Sequence, residues 1–100
     1  MIAVVFAGVL LLTACGAKQE ATPVGQVTQP EAVYKQSCIS CHGADLQGVS
    51  GPNLQKIGAK LDAAAIEAII RNGKGAMPSM SRGLSDEQIS AVATWLASKK

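Results

Sequence analysis

The sequence predicts an all-α domain of modest size, and three observations carry that prediction. Residue types that cap helices, Thr28, Asp62 and Ser85, stand directly before segments whose apolar side chains recur at helical spacing. No stretch alternates apolar and polar residues in the manner of a half-buried strand. The segments between, Gly43 to Gly58 and Gly73 to Gly83, are rich in Gly, Pro and Ser and read as two long loops.

Ahead of the domain, Ile2 to Leu12 is an almost uninterrupted apolar run. It is about half of the roughly 20 residues that a helix needs to cross a bilayer, and its length suits the core of a signal peptide. Leu12, Thr13, Ala14, Cys15 and Gly16 follow, which resembles the bacterial lipobox, where the cysteine is lipidated and becomes the first residue after cleavage. Residues 1–14 are therefore expected to be a signal peptide, with the departure that Met1 and Ile2 bring no Lys or Arg. A buried cysteine in an ordinary apolar helix and an uncleaved anchor are the competing readings. From Gly16 to Val27 the chain is polar and small, so residues 15–27 read as a lipidated cysteine and a flexible tether. Such a tether spans about 20 Å as a random coil, enough for a domain over residues 28–100 to reorient above a membrane.

Within that domain, Thr28 and Glu31 form a capping-box pattern, and Pro30 is tolerated in the first helical turn because its missing N–H has no partner there anyway. The helix runs into Cys38, and Tyr34, Cys38 and Cys41 share a face if helical geometry persists that far. Asp62 caps a second helix with the stripe Ile66, Ile69 and Ile70, stopped at Asn72 and Gly73. Ser85 and Gln88 form another capping box, opening a last helix that buries Ile89, Val92, Ala93 and Leu96 with Trp95 beside them. Lys99 and Lys100 suit the negative end of its dipole.

Composition narrows the function. A formal net charge of +2 is too small for a protein that must neutralise many phosphates, so nucleic acid is excluded as a partner. Hydrophobic residues make up 48% of the chain but aromatic ones only 3%, and the domain keeps just Tyr34 and Trp95. A domain of roughly 70 residues has too much surface for its core and usually needs a metal, a disulfide or a comparable staple. Three cysteines, Cys15, Cys38 and Cys41, make a poor disulfide framework.

Cys38, Ile39, Ser40, Cys41 and His42 spell C-x-x-C-H, the attachment signature of c-type haem. Two thiols at this spacing can each add to one haem vinyl group, and the next residue can place an imidazole on the iron. The bare C-x-x-C also serves dithiol and zinc chemistry. A thioredoxin-like dithiol needs a βαβ setting that is absent, and zinc lacks a second ligand pair because the chain holds one histidine and one further cysteine.

With these residues in view, the segment from Thr28 to Lys100 resembles the class I monohaem cytochromes c, and with Cys15 the chain is similar to the small lipid-anchored cytochromes c of Gram-positive bacteria. The shared features are Tyr34 before the first haem cysteine, Gly51, Pro52, Asn53 and Leu54 after the motif, Met77 followed by Pro78, and Trp95 with Leu96 in the last helix. The resemblance implies the class I fold: N- and C-terminal helices packed together, a middle helix, and two long loops around one haem c. It also implies that the Pro52 carbonyl accepts a hydrogen bond from the ligating His42. Leu54, Ile57, Ile66, Ile70 and Trp95 are expected to line the haem pocket or the core next to it. Met77 is expected as the second iron ligand with Met80 as runner-up; composition alone does not separate them. Pro78 favours Met77, since it restrains the preceding residue and removes an N–H beside the apolar haem face.

An iron held by histidine and methionine has no vacant site for substrate, so the expected role is electron carrier and not enzyme. Lys56, Lys60, Arg71, Lys74 and Arg82 lie in or beside the expected haem-facing loops and could steer the domain onto acidic partners, or be a solvated surface. The resemblance implies a monomer anchored on the outer face of the cytoplasmic membrane, passing electrons from a quinol-oxidising cytochrome bc-type complex to a terminal oxidase. A haem domain with an open iron site and a haem-free metal module are the rival classes.

Overall fold

The computed structural model describes residues 28–100; the expected signal peptide, lipidated Cys15 and tether lie outside the described residues. Four α-helices follow one another: α1 (Pro30–Ser37), α2 (Ile39–His42), α3 (Ala63–Asn72) and α4 (Asp86–Ala97), with a 3-10 turn at Ile57–Ala59. Among the described residues no strand forms, apart from a single bridging pair between Lys74 and Met77.

The start of α1 differs from the capping-box expectation. Gln29, not Thr28, occupies the cap position, with no side-chain cap bond, and Pro30 is the first helical residue. The proline ring fixes its own φ and drives the preceding residue into extended geometry, so the helix begins one position later than the Thr28 pattern suggests. At Cys38 the backbone leaves helical geometry (φ −121°, ψ −26°), which divides α1 from the single turn of α2. Hydrogen bonds nevertheless carry across the joint, from Cys38 N to Tyr34 O (2.8 Å) and from His42 N to Cys38 O (2.9 Å).

The caps of α3 and α4 form as the sequence implies. Asp62 accepts from Ala65 N at 2.8 Å, and Ser85 and Gln88 make both bonds of the capping box. Gly73 closes α3 at φ 76° with its N–H on the Ile69 carbonyl, a left-handed backbone that glycine adopts without strain.

Helix α4 is the centre of the domain and packs on both α1 and α3. Its Ile89, Val92, Ala93 and Leu96 are buried against Val33 and Tyr34 of α1 and Ile66 and Ile70 of α3, with Leu54 and Leu84 from the loops. Each fully buried aliphatic side chain contributes about 1.5–3 kcal/mol relative to exposure, so this small cluster holds the helices in place. Tyr34 and Trp95 add a tilted ring contact, centroids 5.5 Å apart. The 3-10 turn is fastened to the end of α4 by Gly58 N–H, which donates to Lys99 O at 2.7 Å.

Candidate functional site

The joint at Cys38 is where the core gives way to a cavity of about 370 Å³, within the roughly 300–1,000 Å³ typical of cofactor sites. Cys38, Cys41, His42, Met77 and Met80 all line it, together with apolar Ile57, Leu61, Ile69, Ala76 and Pro78. Two thiols, an imidazole and two thioethers therefore face one apolar space. Among the described residues no three His, Cys, Asp or Glu side chains gather into a metal-ion site.

His42 is buried, 8% exposed, and its Nδ1 lies 2.9 Å from the carbonyl oxygen of Pro52. A carbonyl only accepts, so Nδ1 carries the proton and Nε2 is the ring nitrogen left to bind a metal. The following loop is bound closely to this turn. Gly48 N donates to His42 O (2.7 Å), while Val49 N and Gly51 N donate to Cys41 O (3.0 and 2.8 Å). Gly51 stands directly against the imidazole: a Cβ there would lie 2.9 Å from Cε1 and 3.1 Å from Nδ1. On the other side Tyr34 donates its hydroxyl to Gly43 O at 2.6 Å, tying α1 to the end of α2.

Burial, with the charge of Cys41 second, pushes the Cys38 thiol up to about 11. A thiolate is thus disfavoured at this position. A thioether carries no charge and meets no such penalty, so the site suits covalent attachment better than thiolate chemistry. The residues present therefore fit a covalently held, largely apolar haem.

The opposite wall is the loop after α3. Lys74 and Met77 exchange backbone hydrogen bonds, both 3.0 Å, around Gly75 at φ 57°. Met80 N donates to Ile70 O at 2.9 Å, and Met80 O accepts from Gly83 N (3.1 Å) and Leu84 N (3.0 Å). Both methionines are thus backbone-restrained, Met80 no less than Met77, whereas the sequence suggests restraint only at Met77.

Of the expected pocket residues, Pro52 and Ile57 line the cavity. Leu54, Ile66 and Ile70 belong to the buried core, with Trp95 packed against it. Ile66 and Ile70, four residues apart, share the face of α3 turned to the core, while Ile69, about 100° round from Ile70, reaches the cavity. Leu61, Ile69 and Ala76 also line the cavity. Ile69 had a signal in the apolar stripe; Leu61 and Ala76, in irregular backbone, had none.

The basic residues separate. Arg71 is committed to Glu67 (2.6 Å) and Asp86 (2.5 Å), joining α3 to α4, and hydrogen bonds to these carboxylates raise its pKa further. It is not a free cation beside the cavity. Lys74 is exposed and lines the cavity. Lys56 and Lys60 line a neighbouring cavity of about 340 Å³ with Asn53, Gln55 and the shared residue Ile57.

Known proteins resemble the chain along most of its length. The family described as cytochrome c oxidase, cbb3-type, subunit III matches residues 25–96. Cytochrome c-551 of Bacillus subtilis is 51% identical over 104 residues, covering 95% of this chain and 90% of that protein. The menaquinol:cytochrome c reductase cytochrome c subunit of the same organism is 42% identical over 67 residues, 65% of this chain but 26% of that one. Among solved structures, cytochrome c6 from the diatom Phaeodactylum tricornutum superposes with a TM-score of 0.60 at 30% identity, covering 76% of this chain and 92% of the other.

Proposed function

From the premise that the chain belongs to the class I cytochrome c family, with covalent haem c as its cofactor and electron transfer rather than catalysis as its work, we propose how its own residues do that work and where. Cys38 and Cys41 hold the haem through thioethers, His42 ligates the iron through Nε2, and Met77 supplies the sixth ligand. The observation that carries this reading is the meeting of all four side chains on one apolar cavity, with His42 Nδ1 already bound to Pro52 O.

Bound haem supplies a reversible one-electron Fe(III)/Fe(II) change. The Pro52 carbonyl fixes the ring and tautomer of His42 and raises its basicity. Ile57, Leu61, Ile69 and Pro78 keep the surroundings apolar, which disfavours the more charged ferric state and raises the potential. Gly51 and the amides on Cys41 O and His42 O hold the turn in one arrangement, so little reorganises when the charge changes.

The setting is a monomer carried on the outer face of the cytoplasmic membrane by lipid on Cys15, taking electrons from a quinol-oxidising complex and passing them to a terminal oxidase. The names of one relative and of the matching family support it: the relative is a reductase subunit, and the family is that of an oxidase subunit. Among the described residues no helix is long and apolar enough to cross a membrane; the attachment is read from the Leu12 to Gly16 pattern around Cys15. Two acyl chains, at about 0.8 kcal/mol per buried methylene, hold a protein stably where one does not.

Mass spectrometry of acid-denatured protein from a host with a cytochrome c maturation system tests both parts. Haem mass remaining on the chain is expected, kept through the one remaining thioether in Cys38→Ala or Cys41→Ala and lost when both are replaced, along with lipid mass that disappears in Cys15→Ser. Haem released by acid sinks the attachment, and a parent without lipid mass sinks the anchor.

A further inference from the structure

The last carbonyls of α3 have no partner inside the helix, a general property of helix ends, and here the methionine loop supplies partners for them. Gly73 N–H binds Ile69 O (2.8 Å) and Met80 N–H binds Ile70 O (2.9 Å). The Arg71 carbonyl receives two side-chain donors, the hydroxyls of Ser79 and of Ser81, the latter at 2.6 Å. Ser79 Oγ in turn accepts from Ser81 N–H at 3.4 Å. Two hydroxyls on either side of Met80 thus close on a single carbonyl. The loop also crosses Gly73 tightly, where a Cβ would lie 2.9 Å from Pro78 C and 2.9 Å from Ser79 N.

Both serines are exposed, so they are not there to fill the core. They bear on the one wall of the cavity that carries thioether sulfurs, since Met77 and Met80 both line it. For an outside ligand to reach the iron from this side, the loop must lift from α3, which breaks the Ser79, Ser81 and Met80 bonds together. The lysine–methionine bridge at Lys74 and Met77 is internal to the loop and does not resist that motion.

We propose that Ser79 and Ser81 are positioning residues: their hydroxyls clamp the methionine loop to the end of α3 and set how often the methionine face of the haem opens. The proposal rests on the reading that a methionine of this loop ligates the iron. The serine hydroxyl bonds end on the Arg71 carbonyl and on each other, and neither serine belongs to the buried core cluster, so their removal frees the loop without unfolding the domain.

The test uses the ferric holoprotein and imidazole as probe, which replaces the methionine: one iron–sulfur bond breaks, one iron–nitrogen bond forms, and no electron moves. In Ser79→Ala/Ser81→Ala the rate of imidazole binding is expected to rise by roughly tenfold, the effect of losing about one net hydrogen bond from the closed state. Each single variant should fall between, and Ser79→Thr/Ser81→Thr, which keeps both hydroxyls, should return to within about twofold of the parent. Val92→Ala, which weakens the buried core away from the clamp, should leave the rate nearly unchanged. A double variant as slow as the parent, or a Val92→Ala variant accelerated as much as the double serine variant, overturns the clamp while methionine ligation stands. A parent without the ferric iron–sulfur charge-transfer band, binding imidazole as fast as an open iron, overturns the ligation reading and the clamp with it.

Discussion

His42 and Pro52 are joined by a hydrogen bond of 2.9 Å from Nδ1 to the proline carbonyl, and Gly51 is what leaves room for it. A methyl group at position 51 would lie 2.9 Å from Cε1 of the ring, with Cys41 O at 3.1 Å preventing retreat on the other side. Gly51→Ala is therefore expected to displace the imidazole and weaken the bond. A less basic histidine stabilises ferric iron less, so the reduction potential should rise, on the order of 40 mV if about 1 kcal/mol is lost between the two redox states. A redox titration showing the parent potential in the variant would refute this account of Gly51.

The buried Tyr34 hydroxyl gives a pH dependence. Its bond to Gly43 O should make Tyr34→Phe less stable by about 1–2 kcal/mol at neutral pH, since a buried carbonyl loses its donor. The phenol is raised above its ordinary 10.0 by burial first, then by negative charge at Cys38 and Asp45; a thioether at Cys38 removes the second cause and leaves the others. With the folded value above the unfolded one, the contribution is fully present below about pH 10 and is lost as pH rises through the folded value. Tyr34 is the only tyrosine in the chain, so guanidinium unfolding of the holoprotein at rising pH should show a larger alkaline loss in the parent than in Tyr34→Phe. Parallel losses would mean that another group carries the effect.

Gly58 holds the end of the first loop to the terminal helix. A Cβ there would overlap the Ala97 carbonyl oxygen and stand 2.9 Å from Lys99 O, in addition to stressing the bond from Gly58 N to Lys99 O. Gly58→Ala should cost about 1–3 kcal/mol, the usual range for forcing extra atoms into a packed contact. Unfolding followed by the emission of Trp95, the only tryptophan, reads this directly. A midpoint equal to that of the parent would show that the loop moves aside freely.

What could be read in the sequence was what is local. Asp62 and the Ser85–Gln88 pair fix helix starts through bonds spanning three residues, and they form as the pattern implies. Thr28 fails because Pro30, two residues on, overrides it through the backbone of Gln29. The attachment motif carries its own spacing, so Cys38, Cys41 and His42 could be named without a structure. The cavity wall could not be named so fully: apolar periodicity marks a residue as buried and does not say whether helix or cofactor buries it. Ile66 and Ile70 therefore looked like Ile57 in the sequence, although only Ile57 among the three lines the cavity. The hydroxyls of Ser79 and Ser81 gave no signal, because their partner, Arg71 O, is a backbone atom in another element.

The choice between Met77 and Met80 is open to a direct experiment, because both side chains line the cavity and neither loop backbone is free. Met80 is held at three points, through Ile70, Gly83 and Leu84, while both methionine side chains pack against the buried core. Met77 is held only through Lys74, is followed by a proline that biases it toward extended geometry, and lies at the turn around Gly75, where a Cβ would meet nothing within 4 Å. A side chain on the less restrained backbone can adjust to complete an iron–sulfur bond, whereas one whose backbone is pinned at three points acts as a gap filler, a common use of methionine. Met77→Ala is accordingly expected to abolish the ferric iron–sulfur charge-transfer band, open the ferrous iron to carbon monoxide, and lower the potential by on the order of 0.2 V, within the roughly 0.8 V that axial ligands span. Met80→Ala should keep the band and the potential and lose about 2–3 kcal/mol of stability, as a truncated core contact does. The opposite pattern would move the ligand to Met80 and leave the electron carrier intact, while a band surviving in both variants would remove methionine from the iron altogether.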